Sequence, residues 1–245
     1  MPQKDIFYIK IADLCIEMRA VYPYSRKKCR DYLCECVGSP DIVAEVDEKE
    51  IEAEIAAGNG AFSPDYCENI CLYRAIAEKL PLFDRFVFHG AAISDGERGF
   101  IFTAPSGTGK STHIGLWKES FGDSVEVING DKPIISLAGG VPVVFGTPWA
   151  GKEGWHSNIS REVSGICLLF RCERNLIRSI SPADYFNMII KQLYIPCDSE
   201  ARLKTLDLIS ALAESTKFYR LDCNISREAA SVARAGMVSD ETADN

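Results

Sequence analysis

No stretch of this sequence stays apolar long enough to cross a bilayer. The longest run near the middle, Gly165 to Phe170, falls far short of the ~20 residues that the hydrocarbon thickness demands. The N-terminus lacks a basic start followed by an apolar run and carries Asp5 instead, so it does not read as a secretion signal, and a cytoplasmic protein is expected. Positive charge is also scarce. Against 35 Asp and Glu stand 27 Lys and Arg, giving a formal net charge of -8 and a pI near 5.0. Phosphate backbones and anionic membranes are held mainly by clustered Lys and Arg. The one such cluster, Arg26, Lys27, Lys28 and Arg30, reads as a solvated helix start, so neither nucleic acid nor membrane is an expected partner. The ten cysteines include no C-x-x-C pair, the usual mark of zinc and redox sites, and most read as reduced packing residues. Cys29, Cys34 and Cys36 alone sit close enough for a thiolate metal site, and they lack a fourth ligand nearby.

What is present is the make-up of a soluble globular chain: 245 residues, 47% hydrophobic and 25% charged. One main domain over 61–245 with a small N-terminal extension over 1–60 is expected. The extension opens with the apolar segment Ile6 to Ile11, continues with the strand-like Asp41 to Val46, and ends in an acidic, helix-favouring run at Asp47 to Ala57. Asp65 to Lys79 places Ile70, Tyr73, Arg74, Ala77 and Leu80 near helical spacing before Pro81, and predicts a helix packed on a sheet. Phe86 to Ile93 reads as one strand, turned at Ser94–Gly99 onto the partner strand Phe100 to Thr103. Lys110 to Glu119 suits a half-buried helix and Val125 to Ile128 a strand. Ile134 to Leu137 and Val141 to Gly146 form a second hairpin, and Ile166 to Phe170 a buried strand. Ser181-Pro182 starts a helix running to about Leu193, and Ser199 to Leu212 a further one. A strand at Phe218 to Leu221, a helix at Arg227 to Ala235 and a loose polar tail from Ser239 complete the chain.

The chemistry centres on Ala104-Pro105-Ser106-Gly107-Thr108-Gly109-Lys110-Ser111, followed by Thr112. It fits the phosphate-loop pattern G-x-x-x-x-G-K-[ST] except for Ala at the first position. Each residue type has a physical reason. Gly107 and Gly109 let backbone N–H groups turn inward, and the new helix offers the positive end of its dipole. Lys110 neutralises outer phosphate oxygens, and the Ser111 hydroxyl coordinates Mg2+. The expected strand before and helix after the loop are the context that the motif requires.

Asp131 follows the next strand in Val127-Ile128-Asn129-Gly130-Asp131, where a carboxylate holds the metal or takes a proton from an attacking hydroxyl; the bland alternative is a turn-capping Asp beside Gly130. His89 lies ahead of the loop and can point at the same crevice. His113 and His156 are left unassigned. The glycine- and tryptophan-rich segment Gly146 to Trp155 is non-periodic in a way that core packing does not require, and it reads as a substrate or nucleotide loop in which Lys152 contacts a transferred phosphate. Arg171 and Arg174, past the strand at Ile166 to Phe170, are candidate charge stabilisers. No N-K-x-D guanine signature occurs, so GTP is expected to compete poorly with ATP.

The ordered set His89-Gly90, hairpin, Ala104 to Thr112 and Gly130-Asp131 resembles the HPr kinase/phosphorylase family and its relatives over roughly residues 65 to 200. That resemblance implies an α/β fold: a mixed-sheet P-loop domain of the phosphoenolpyruvate carboxykinase-like type. It also implies ATP-dependent phosphorylation of a hydroxyl. His89 becomes the site histidine, Lys110 and Ser111 the phosphate and metal residues, and Asp131 the carboxylate. Family members usually carry two adjacent Asp at the last site, whereas here the first is Gly130. The N-terminal 60 residues do not resemble the sensor kinases' regulatory domain, and no signature for recognising HPr is evident. The expected acceptor is therefore a peptide, protein or small-molecule hydroxyl, and the family suggests a homo-oligomer. The competing expectation is a nucleotide-binding partner protein without catalysis.

Overall fold

The computed structural model describes residues 4–239 and is an α/β arrangement with two mixed sheets. The smaller sheet begins with a hairpin of β1 (Asp5–Ile11) and β2 (Leu14–Ala20). Its two-residue turn puts both Ala12 and Asp13 at positive φ, the geometry that matches the twist of paired strands. Parallel to β2 runs β3 (Ile42–Glu45). Phe7, Ile9 and Ile11 alternate with more exposed residues, so one face is buried. Around this sheet lie α1 (Pro23–Lys28), α2 (Glu48–Ala57) and α3 (Pro64–Ala77). Asp47 and Glu50 close a reciprocal capping box at the start of α2, which is why the acidic run is helical. The buried face of α3 is Leu72, Tyr73, Ile76 and Ala77, while Arg74 of the expected stripe is solvent-facing and bonds Glu54.

The larger sheet has nine strands. Its path runs β4 (Arg85–Val87), β8 (Ile134–Ser136), β9 (Val143–Phe145), β10 (Ser160–Arg171), β6 (Arg98–Thr103), β5 (Ala91–Asp95) and β7 (Val125–Asn129). The sheet branches at β10. One edge of β10 pairs with β6; the other pairs first with β9 and then, from Ile166 on, with β12 (Phe218–Cys223), which carries β11 (Leu176–Ile180) outside it. Alternate residues feed two cores. Phe100, Phe102, Cys167 and Leu169 face α4 (Lys110–Phe121) and α7 (Arg227–Ser239). Ile101, Ile166 and Leu168 face the side of α5 (Phe186–Ile190) and α6 (Ser199–Ser215). Cover on both faces explains why these strands read as unbroken apolar runs.

Two expectations need correction. The strand foreseen over Phe86–Ile93 is two strands, because the chain changes partners at Phe88–Gly90. β4 pairs with β8, the next backbone N–H groups go to Pro133, Gln192 and Asp131, and only then does β5 join β6. Gly90 permits the crossing: a Cβ there would sit 2.9 Å from Ile101 Cγ2. The helix foreseen from Ser181 to Leu193 is a 3-10 turn over Pro182–Tyr185 followed by the short α5, with Tyr185 departing from helical dihedrals while its hydroxyl meets Arg220. The tail beyond Ser239 lies outside the described residues. Among the described residues no helix is long and apolar enough to cross a membrane.

Candidate active site

The loop at Ala104–Gly109 leaves the end of β6, central in the large sheet, and enters α4 at Lys110. Ala104 is buried and is not among the residues at positive φ, so the bend at the first motif position does not call for glycine. Gly107 and Gly109 have φ of 77° and 121°, backbone that side-chain-bearing residues rarely adopt. At Gly107 nothing lies within 4 Å of where a Cβ would stand, so it is the dihedral and not crowding that calls for glycine. Lys110 is buried, and its Nζ donates to the Ala104 carbonyl at 3.0 Å. Burial pulls its pKa below the ordinary lysine value, and the charge of Asp131 opposes that pull.

Asp131 faces this loop from the turn after β7. Asn129 builds that turn. Fully buried, it accepts from the backbone N–H of Asp131 (2.8 Å) and Lys132 (2.7 Å) at Oδ1, and its Nδ2 donates to the Thr147 carbonyl at 2.9 Å. Burial alone would raise the Asp131 carboxyl. The His89 hydrogen bond and the Lys132 charge outweigh it and hold the carboxyl below the usual carboxylate range. His89 Nε2 lies 3.4 Å from Asp131 Oδ1, and Lys132 Nζ lies 3.4 Å from Oδ2.

His89 is held from behind by Gln192. The amide Nε2 of Gln192 donates to the Met188 carbonyl, which turns its Oε1 toward His89 Nδ1 at 2.9 Å. Nδ1 is therefore the donor, and Nε2 is the nitrogen that faces Asp131. Neither Asn129 nor Gln192 was singled out from the sequence. Asn129 stands in the quoted Asn-Gly-Asp turn, a local signal; Gln192 offers only a polar residue beside an apolar stretch.

The two halves meet in a cavity of about 440 Å³ lined by His89, Ser106, Gly107, Gly109, Lys110, Ser111, Thr112, Gly130, Asp131 and the loop residues Gly151, Lys152 and Glu153. Lys152 is exposed at its rim. Arg171 is not on this wall. Its Nε donates to the Thr108 carbonyl at 3.1 Å and a terminal nitrogen donates to that of Gly107, so the guanidinium braces the loop from outside. Arg171 borders a second cavity of about 520 Å³, which shares Gly107, Gly109 and Thr112 with the first and continues over Leu116, Phe170 and Ile225. Arg174 is exposed and lines neither cavity. His113 turns inward, where its Nε2 accepts from Trp117 Nε1 at 3.0 Å. His156 instead meets the N-terminal segment: its Nδ1 is 3.3 Å from the Tyr32 hydroxyl.

The Gly146–Trp155 segment corrects one expectation, since its tryptophans are packing residues. Trp149 is buried in the core that α3 shares with the smaller sheet, its ring centroid 5.0 Å from that of Tyr73. Trp155 is half-buried against the core under α4 and α7. Only the crest Gly151–Gly154 is free of the core. The departure at Gly130 also has a physical cause. A Cβ there would stand 3.1 Å from the Ala150 carbonyl oxygen and 3.4 Å from that of Trp155, so this loop fills the space of a side chain.

No protein-family model and no curated protein matches the sequence. Among solved structures the chain is similar to the Hpr(Ser) kinase/phosphatase from Coxiella burnetii, with a TM-score of 0.34 and 12% identity over 64% of this chain and 94% of that one.

Proposed function

We propose that this chain binds ATP with Mg2+ and transfers the terminal phosphoryl group to a hydroxyl of a peptide, protein or small molecule, as an enzyme of the HPr kinase-related type. In this reading residues 61–245 form a mixed-sheet P-loop domain of the phosphoenolpyruvate carboxykinase-like kind, 1–60 are its extension, and the enzyme is a cytoplasmic homo-oligomer with no nucleic-acid or membrane partner. The observation that carries it is the convergence, in one cavity, of the glycine-rich loop with Lys110 and Ser111 and the His89–Asp131 pair. The positive φ of Gly107 and Gly109 ahead of α4 supports the reading, since such backbone lets successive N–H groups converge on a phosphate.

The donors also fit the metal. The Ser111 hydroxyl and the Asp131 carboxylate are hard oxygen ligands on facing walls, the one-or-two-ligand set that magnesium takes when phosphate oxygens complete it. When bound, the ion, held by Ser111 and Asp131, would neutralise charge on the outer phosphates. Ser106 to Thr112 cradle the phosphates, Lys110 pairs with their charge, and Lys152 reaches in from the rim. The nucleoside fits the adjoining apolar cavity over Leu116 and Phe170. In-line attack joins the acceptor oxygen to the terminal phosphorus, breaks its bond to the bridging oxygen and releases ADP. His89 Nε2 and Asp131 stand together where the hydroxyl proton must go.

A nucleotide-binding partner without turnover is the second reading, favoured by Gly130, which stands where the family usually carries a second carboxylate and where a Cβ would press on the Ala150 carbonyl oxygen at 3.1 Å. The test is calorimetry of ATP with and without Mg2+, followed by phosphoryl transfer to a panel of hydroxyl acceptors. Lys110→Ala should abolish binding, and Asp131→Asn should keep ATP bound while weakening its magnesium dependence. Binding with no transfer to any acceptor would favour the second reading. A natural chain that ignores ATP would overturn both.

A further inference from the structure

The sequence grouped Cys29 with Cys34 and Cys36, but the fold exchanges one member. Cys29 is fully buried behind α1, and Cys15, at the start of β2, takes its place. Cys15 Sγ lies 2.8 Å from Cys36 Sγ, and Cys34 also interacts with Cys15. A covalent S–S bond is about 2.05 Å, so these thiols are in close contact and unbonded. The backbone holds them there. Cys34 N–H donates to the Tyr8 carbonyl, Asp41 N–H to the Cys15 carbonyl, and Cys15 N–H to Asp41 Oδ2, at 3.0, 2.8 and 2.7 Å. The segment 34–41 is thus strapped across the hairpin on both sides of Cys36. All three thiols are half-buried, which leaves a path for a small reagent.

The geometry points to a reversible disulfide site joining Cys15 and Cys36, closed by exchange with a low-molecular-weight disulfide. Cys36 attacks first, because burial and the neighbouring Cys36 sulfur hold the proton on Cys15, whose thiol is pushed up to about 12. The Cys36 thiolate bonds to one sulfur of the reagent, the reagent's S–S bond breaks, and one small thiol leaves. Cys15 then gives its proton to solvent and attacks Cys36 Sγ, and the second small thiol leaves. Two protein thiols are oxidised to one disulfide while the reagent is reduced to two thiols. Little backbone movement is required, since the straps already set the approach.

The bridge closes a loop that contains α1 and Tyr32. That loop abuts the segment that follows the Lys152 loop: the Tyr32 hydroxyl meets His156, and Asn158 Nδ2 donates to the Asp31 carbonyl at 2.8 Å. Oxidation would therefore fix the segment that supports the far end of the Lys152 loop. This inference does not depend on the nucleotide reading.

The test treats the folded full chain with oxidised glutathione, quenches with acid, alkylates under denaturing conditions and maps peptides by mass spectrometry. The expected product is a Cys15–Cys36 cross-linked peptide two hydrogens lighter than its parts, reversed by a dithiol reductant and retained in Cys34→Ser. Amide hydrogen exchange over residues 30–38 should slow in the oxidised form. Exposed Cys197 serves as an internal control for access of the reagent. If it carries glutathione while Cys15 and Cys36 are still recovered alkylated, or each carries its own glutathione, the proposal is wrong. The decisive readout is on the natural chain, so a variant that fails to fold does not cloud it.

Discussion

His89 and Asp131 face each other at 3.4 Å, ring Nε2 to carboxylate Oδ1, and each is fixed by a residue that never meets the cavity. Gln192 sets the histidine's tautomer and Asn129 sets the carboxylate's place in its turn.

Gln192 is a positioning residue. Gln192→Met keeps the volume but removes the acceptor for Nδ1. Phosphoryl transfer is expected to fall by roughly one to two powers of ten, the usual effect of losing the outer partner of a site imidazole. The pH–rate profile should shift while ATP affinity stays near the natural value. An unchanged profile would assign Gln192 a purely packing role.

Asn129→Ala removes the acceptor for two backbone N–H groups and the donor to Thr147. Leaving those groups unpaired in the core costs about 1–3 kcal/mol each at most, so a clear drop in urea midpoint is expected. Transfer activity should drop further than stability explains, because Asp131 loses its register against His89. Activity measured at temperatures well below the variant's unfolding separates the two effects.

His113 predicts a pH dependence of stability unrelated to catalysis. Burial lowers its pKa from 6.5 to about 4. The unfolded chain therefore binds a proton near pH 6.5 that the folded chain refuses until about pH 4. Stability from this group is fully present above pH 6.5 and is lost as pH falls through that window, by roughly 3 kcal/mol in total. Urea titrations from pH 7 to 4 should show this slope, and His113→Gln should flatten it.

Gly130→Asp creates two adjacent acidic residues but places a Cβ 3.1 Å from the Ala150 carbonyl oxygen. The loop must give way, at a cost of about 1–3 kcal/mol, and transfer activity should not rise. Gly130→Ala isolates the steric part. Faster transfer by the Gly130→Asp variant would mean that the loop adapts and that a second carboxylate had been missing.

How much of this was legible depends on whether the signal is local. The loop, Lys110, Ser111 and Asp131 could be read because each sits in a short run whose residue types have one joint physical use. Gln192 could not, since it reaches His89 across a sequence separation of 103 residues. The break at Phe88–Gly90 was hidden because an apolar run looks alike whether or not the strand changes partners. β11 carries no such signal for the opposite reason: at an edge, with no residue fully buried, its residues show no hydrophobic period. Trp149 was misjudged because a tryptophan in a glycine-rich stretch suggests a ligand, and the ring that covers it, Tyr73, comes from a distant helix.

The branching of the sheet at β10 bears on how the site moves. The end of β10 grips the glycine-rich loop through Arg171, and its beginning pairs with β9, from which the Lys152 loop departs at Gly146. The glycine-rich loop and the Lys152 loop thus hang from one continuous strand and cannot swing apart as two jaws. Any closure over a ligand is therefore expected at the exposed crest Gly151–Gly154, where both glycines sit at positive φ: a single finger over a shared palm.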